Sequence, residues 1–219
     1  MYFRDRVDAG RRLASRVAEV VEGGGCVVLA IPRGGVVVGF EVARVLNCSL
    51  DVVVPRKIGA PYQPELAVGA VAEDGSLLIE EDIANLVGAS RGYIAEAAER
   101  EVEEIKRRVA KYRGGNPPVD VKGKTVVIVD DGIATGATVR AAMKYVRKLG
   151  ADRVLVAVPV APPETVEKIK READEVICLY TPSDFYAIGQ FYDNFEQTTD
   201  DEVVKLLNLA RREYNQDAG

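Results

Sequence analysis

Two adjacent carboxylates stand at the end of an apolar run, where they are well placed to bind a ligand. Residues 126–129 are apolar, as in a buried strand, and Asp130 and Asp131 follow them directly. Burying paired acids is costly unless they bind something, so their position favours a function. Carboxylate oxygens accept hydrogen bonds from hydroxyl groups, which makes the vicinal diol of a sugar a suitable ligand.

The loop that follows the two acids has the composition of a phosphate site. It consists of Gly132, Ile133, Ala134, Thr135, Gly136, Ala137 and Thr138, and a predicted helix begins near its end. Backbone N–H groups and the dipole at a helix N-terminus attract an anion. The hydroxyl groups of Thr135 and Thr138 can add hydrogen bonds to phosphate oxygens. A phosphate site beside a diol site predicts a ribose 5-phosphate; the alternative is a strand followed by an ordinary capped helix.

Two further groups of residues follow predicted strands. The turn at 32–35 contains Arg33, Gly34 and Gly35. Its glycines expose backbone N–H groups, and its guanidinium can bind a diphosphate through two hydrogen bonds. Lys57 follows the next strand and is a second candidate cation for a diphosphate. The alternative interpretations are an ordinary turn and an exposed surface charge.

An alternation of strand-like and helix-like segments must position these residues. Buried strands are predicted at 26–31, 50–54, 125–129, 153–160 and 175–180. This order predicts an α/β fold with a mostly parallel central sheet and helices on both faces, in which ligands bind at the carboxyl ends of the strands. Residues 57–65 are predicted as a loop, and Asp74-Gly75 as the turn of a hairpin.

The longest predicted helix covers residues 90–113, and its charges fall into pairs. The i,i+4 pairs in the favourable order are Glu96/Arg100, Glu103/Arg107 and Glu104/Arg108. We therefore expect a solvated face on this helix rather than a binding patch. Thr199 and Glu202 form a capping box that predicts the start of a final helix, which runs to about residue 212.

The run from residue 126 to residue 138 resembles the phosphoribosyl pyrophosphate (PRPP) signature of type I phosphoribosyltransferases. Segments along most of the chain resemble one subgroup of that family whose acceptor is unassigned. The resemblance implies a homodimer that binds PRPP and a small base, with Mg²⁺ held mainly by PRPP near the two acids. It implies catalytic roles for Asp130, Asp131 and Lys57, a 5′-phosphate site at residues 132–138, and a pyrophosphate site at Arg33, Gly34, Gly35 and Lys57.

The resemblance also divides the chain into parts. Residues 1–180 correspond to the core, with a helical insertion at 82–115, and residues 181–219 to a hood over the sugar site. Residues 58–65, with the Asp74-Gly75 hairpin, correspond to a mobile catalytic loop. Phe185 or Tyr186 is expected to stack on the base, since the hood is rich in aromatic residues. The alternative is that these side chains only pack the tail onto the core or a second subunit.

The implied activity is that of a pentosyltransferase of nucleotide metabolism. It transfers the 5-phosphoribosyl group between PRPP and a nitrogenous base and releases pyrophosphate, with the proton taken by Asp131, Glu65 or water. The alternative is a regulatory protein that binds PRPP or a nucleotide without catalysis.

The composition excludes other classes. The chain of 219 residues contains no histidine, which excludes Ser-His-Asp catalysis and His-ligated zinc. Its 34 acidic and 29 basic residues give a net charge of −5, which argues against nucleic acid as a partner. No apolar run reaches the roughly 18 residues of a membrane span. Cys26, Cys48 and Cys178 are expected to be buried free thiols, and with the charged N-terminus they favour a cytoplasmic location.

Overall fold

Two β-sheets form the frame of the protein in this computed structural model, which describes residues 2–22 and 25–217. The strands are β1 (Cys26–Ala30), β2 (Ser49–Val52), β3 (Arg56–Ala60), β4 (Gln63–Val71), β5 (Leu77–Ile79), β6 (Thr125–Val129), β7 (Arg153–Val160) and β8 (Glu175–Tyr180). A five-stranded sheet has the order β2-β1-β6-β7-β8, and all its neighbours are parallel. The predicted α/β architecture is therefore confirmed.

Helices cover both faces of the parallel sheet. They are α1 (Arg6–Val17), α2 (Gly34–Leu46), α3 (Glu81–Leu86), α4 (Arg91–Arg113), α5 (Ala137–Lys148), α6 (Pro163–Lys170) and α7 (Asp200–Asp217), with a 3-10 turn at Ile188–Phe191. Alternate residues of β6 point to opposite faces: Val127 and Val129 pack with α1, α2 and α7, whereas Val126 and Ile128 pack with α5 and α6. Complete burial of each such side chain stabilises the fold by about 1.5–3 kcal/mol.

The second sheet corrects the prediction of a loop at residues 57–65. Strands β3, β4 and β5 pair antiparallel, and β3 and β4 are joined by a turn whose Tyr62 has a left-handed backbone (φ 63°) and a fully exposed side chain. The pairing shifts register around Gly59, where an added Cβ would collide with the Pro64 backbone. The glycine and prolines that indicated a loop are therefore part of an irregular β-hairpin. The Asp74-Gly75 turn between β4 and β5 is confirmed.

The long helix α4 begins where the sequence predicts, but its ion pairs differ from the prediction. The Ser90 hydroxyl accepts a hydrogen bond from the Tyr93 N–H at 3.1 Å, which caps the helix. Of the three predicted i,i+4 pairs, only Glu104–Arg108 is present among the described residues, at 2.7 Å. The capping box of α7 is also present, since the Thr199 and Glu202 side chains each accept a hydrogen bond from the other's backbone N–H. Helix α7 runs to Asp217, beyond the predicted end near residue 212.

Two of the three cysteines are paired, which corrects the expectation of three free thiols. Cys26 and Cys48 form a disulfide with a Cα–Cα distance of 5.4 Å, and only Cys178 is free. Their neighbours Val27 and Ser49 are partners in the parallel β1–β2 ladder, so the two cysteines lie side by side at the amino ends of these strands. The pairing removes the free thiols as an argument for a reducing compartment.

The tail predicted as a hood does not pack as one unit. Phe191 and Tyr192 form a small aromatic cluster with Phe3, whereas Val203 and Leu207 of α7 lie in the large core cluster. The division at residue 180 stays a prediction, and residues 1, 23, 24, 218 and 219 lie outside the described residues. Over the described part of the chain, no helix combines the length and hydropathy that crossing a membrane requires.

Candidate active site at the carboxyl ends of the parallel strands

The carboxyl ends of β1 and β6 bring the two main sequence motifs into contact. The strands are neighbours, so the turn at residues 32–35 lies against the two acids that follow β6. An added Cβ at Gly34 would collide with the Asp131 carboxylate, and one at Gly35 would lie 3.0 Å from the Asp130 Cα. The glycine pair is therefore required for this close approach of two loops.

A cavity of about 540 Å³ opens above the loop at 132–138. We call it the loop cavity. Asp130 and the whole of this loop form one wall, and residues 186–189 with Phe195 form the opposite wall. Helix α5 begins after Gly136, which caps it with a left-handed backbone (φ 84°). The first N–H groups of α5 have no partner within the helix, so this wall presents hydrogen-bond donors suited to an anion.

The two adjacent acids have different surroundings. Asp130 lines the loop cavity, whereas Asp131 is buried and accepts a hydrogen bond from the Arg6 Nε at 2.7 Å. Burial, and then the charge of Asp131, raise the pKa of Asp130 well above its ordinary value. The Asp130 carboxylate also accepts a hydrogen bond from the Asp131 N–H at 2.8 Å. Only one of the two predicted sugar-binding acids therefore faces the cavity.

Arg6 connects the acids to the aromatic hood and was not identified from the sequence. Its Nη1 donates to the Glu196 carbonyl oxygen at 2.7 Å, and its guanidinium carbon lies 3.9 Å from the centre of the Phe195 ring. The Tyr192 hydroxyl donates to the Asp131 carbonyl oxygen at 2.6 Å. Arg6 is one of several arginines in the N-terminal segment, and nothing in its spacing distinguishes it from the others.

The structure separates the two aromatic residues predicted to contact a base. Tyr186 lines the loop cavity, and 88% of its surface is exposed. Phe185 instead packs on Phe191, with 5.4 Å between ring centres, and lies outside the cavity lining. Ile188 also lines the cavity, and an added Cβ at Gly132 would collide with it. Gly132 thus lets Ile188 approach the loop closely.

The two predicted pyrophosphate-binding cations also differ in position. Lys57 lines the loop cavity and pairs with the Glu65 carboxylate at 2.9 Å. The Arg33 side chain lies outside the cavity lining, with its Nη1 3.8 Å from the Asp200 carboxylate at the start of α7. Asp200 also accepts a hydrogen bond from the Tyr112 hydroxyl at 2.8 Å. The Arg33 guanidinium thus lies next to α7, while its turn borders the two acids, and its contact with a pyrophosphate stays a prediction.

Comparisons with known proteins bear on the whole chain. The family model described as phosphoribosyl transferase domain matches residues 3–196. A Mycobacterium tuberculosis protein, provisionally named a phosphoribosyl transferase, is 47% identical over 212 residues, which are 97% of this chain and 48% of that protein. This chain thus spans about half the length of that curated relative. The crystal structure of TT1426 from Thermus thermophilus is 46% identical, with a TM-score of 0.80, and the match covers 94% of this chain and 98% of that one.

Proposed function

Because this chain belongs to the phosphoribosyl transferase family, we propose that it transfers the 5-phosphoribosyl group of PRPP to a ring nitrogen of a base and releases pyrophosphate. The observation that carries this proposal is the composition of one cavity. The loop at residues 132–138 offers backbone N–H donors for a phosphate, and Asp130 offers a carboxylate for the ribose diol. Tyr186 offers an aromatic face for the base. These three features match the 5′-phosphate and the ribose of PRPP and the ring of the base.

Each part of the site has a separate role in this reaction. The amides and threonine hydroxyls of residues 132–138 hold the 5′-phosphate, and Asp130 holds the ribose hydroxyls and stabilises positive charge that develops at C1. The bond from C1 to the pyrophosphate oxygen breaks, and its electron pair leaves with pyrophosphate. The base nitrogen supplies the pair that forms the new bond to C1. Lys57, released from Glu65, stabilises the departing charge.

The base must lose a proton if its attacking nitrogen carries one. Of the two predicted acceptors, Asp131 is engaged by Arg6, whereas Glu65 lines the loop cavity and 92% of its side chain is exposed. The proposal therefore keeps Glu65, or water, as the acceptor of this proton.

The residues present suit Mg²⁺ that arrives with the substrate. Within residues 2–22 and 25–217, no three His, Cys, Asp or Glu side chains are grouped as a metal site. Mg²⁺ is commonly bound by one or two carboxylates together with substrate phosphates. Asp130 supplies a carboxylate on the wall of the loop cavity that residues 132–138 form. When bound, the ion would neutralise charge on the leaving pyrophosphate. A homodimer and a cytoplasmic location stay predictions.

The test is pyrophosphate release from PRPP and Mg²⁺ in the presence of a panel of purine and pyrimidine bases. We expect turnover with at least one base, and loss of PRPP binding in Asp130→Asn measured by calorimetry. Asp152→Asn, at an exposed acid outside the cavity, is the matched control. Tight PRPP binding without turnover for any base would contradict the transferase proposal and favour the regulatory alternative.

A further inference from the structure

A second cavity, of about 530 Å³, lies between the β3–β4 hairpin and helix α4. We call it the insertion cavity, because one wall belongs to the helical insertion. Ile31 and Pro32, where the chain leaves β1 and enters the turn at 32–35, also line it. Lys57, Glu65 and Thr138 line both this cavity and the loop cavity, so the two volumes adjoin each other along these side chains.

Helix α4 presents one face to the insertion cavity. The residues on it are Tyr93, Ala97, Arg100 and Glu101, which follow helical spacing. Two of them fasten the helix to β3: the Tyr93 hydroxyl donates to the Gly59 carbonyl oxygen at 2.7 Å, and Glu101 accepts from the Arg56 Nε at 2.7 Å. Ala97, whose side chain is small, lies between these two residues along the helix and also lines the cavity.

Arg100 lies between Tyr93 and Glu101 along the helix, and within the described part of the chain its side chain is not engaged in a contact of this kind. The predicted pair with Glu96 is absent, and the Arg100 side chain forms no hydrogen bond or ion pair with any of the residues that the structure describes. The other cations of the cavity are balanced, Arg56 by Glu101 and Lys57 by Glu65. Arg100 therefore carries the unbalanced positive charge of this cavity. Its planar group can bind two oxygens of a phosphate at once.

The position of the insertion cavity indicates which phosphate it would take. In the proposed reaction the 5′-phosphate binds to the loop at residues 132–138, and the base lies beside Tyr186. The diphosphate on C1 is left with the space beyond Lys57, beside the turn at Pro32. We propose that Arg100 binds the diphosphate end of PRPP, so that the helical insertion supplies part of the pyrophosphate site. This inference rests on the proposed function and names a binding residue outside every motif that indicated that function.

The test is calorimetric titration of the full chain with magnesium pyrophosphate and, separately, with ribose 5-phosphate. In Arg100→Ala we expect the affinity for pyrophosphate to fall about 10- to 100-fold, as for the loss of hydrogen bonds to a charged group. Arg100→Lys should recover part of that loss, because lysine keeps the positive charge but lacks the paired N–H donors of the guanidinium group. Affinity for ribose 5-phosphate should stay unchanged. Lys106→Ala is the control, since Lys106 is an exposed cation of the same helix that lies outside the insertion cavity.

The outcomes separate this inference from the proposed function. Unchanged pyrophosphate affinity in Arg100→Ala, an equal loss in Lys106→Ala, or a wild-type chain that binds no pyrophosphate would each overturn the role of Arg100. An equal loss of affinity for ribose 5-phosphate would also overturn it, because the effect would not be confined to the diphosphate. If Arg100→Ala loses pyrophosphate selectively but no base supports turnover, the role of Arg100 stands and the transferase proposal fails.

Discussion

Replacing Arg6 by glutamine tests whether the ion pair with Asp131 is a main support of the site. The two side chains are each 12% exposed, and their N–O distance is 2.7 Å. Removing one partner of a buried pair leaves the other charge uncompensated, at a cost of about 3–5 kcal/mol. A cost of that size is a large fraction of a typical free energy of unfolding, which is about 5–15 kcal/mol. For a chain of this length it would lower Tm by about 6–20 °C, at about 2–4 °C for each kcal/mol.

A second arginine of helix α1 provides the matched control. Arg16 pairs with Glu19 at 2.6 Å, but the two side chains are 61% and 58% exposed. Exposed pairs contribute about 0–1 kcal/mol, so Arg16→Gln should change Tm by no more than a few degrees. The assay is thermal unfolding followed by circular dichroism, at one pH and one ionic strength for all variants.

A double variant distinguishes the loss of the pair from the loss of Arg6 packing. Arg6→Gln combined with Asp131→Asn leaves two neutral groups that can hydrogen-bond to each other. The double variant should therefore be more stable than Arg6→Gln alone, with a coupling energy of about 1–3 kcal/mol. The reasoning is refuted if Arg6→Gln and Arg16→Gln lower Tm equally, or if Asp131→Asn adds a further full loss to Arg6→Gln.

Three other outcomes follow from the surroundings of the site. Burial raises the pKa of Asp130 in the folded protein. The native state therefore loses stability as pH rises from the pKa of this carboxyl group in the unfolded chain to its pKa in the folded protein. Asp130→Asn should unfold at a higher urea concentration than wild type at pH 8, with little difference near pH 4. Tyr186→Ala should weaken binding of the base without lowering Tm, because Tyr186 is 88% exposed. Phe185→Ala should instead lower Tm, because its packing on Phe191 is lost, without a selective loss of affinity for the base. Thermal unfolding and titration with the base together distinguish these two effects. The disulfide between Cys26 and Cys48 spans 22 residues of sequence, so Cys48→Ser should reduce the free energy of unfolding by about 3 kcal/mol, and equal stability of wild type with and without reductant would contradict this.

The parts of the site that could be predicted are those encoded by neighbouring residues. The run from Val126 to Thr138 specifies a buried strand, a turn and a helix start within one short segment, and the structure has each of them. The contact of this run with Gly34 could also be anticipated, since both follow parallel strands and such strand ends share one edge of the sheet.

The parts that were missed depend on contacts between distant segments. Arg6 is 125 residues from Asp131, so no local pattern relates them. The approach of Arg33 to Asp200 depends on how α7 packs against α2, which periodicity does not specify. Residues 57–65 contain one glycine and two prolines, and only the pairing of β3 with β4 shows that most of them lie in strands. Pairing of Cys26 with Cys48 likewise depends on the order of the strands.

The absence of histidine limits how the proposed reaction can handle a proton. In the proposed reaction a carboxylate holds the ribose near C1, and Asp130, which lines the loop cavity beside a second acid, has the position to do so. The Asp131 carboxylate is held by Arg6 and lies outside the lining of the loop cavity. The remaining acid on the cavity is Glu65, and it lies on the hairpin, paired with the same Lys57 that the leaving pyrophosphate would recruit. If pyrophosphate draws Lys57 away, the Glu65 carboxylate loses its ion-pair partner and is left free to accept a hydrogen bond from the base. Binding of PRPP would thus free the carboxylate that takes the proton, in a chain that has no histidine to do so.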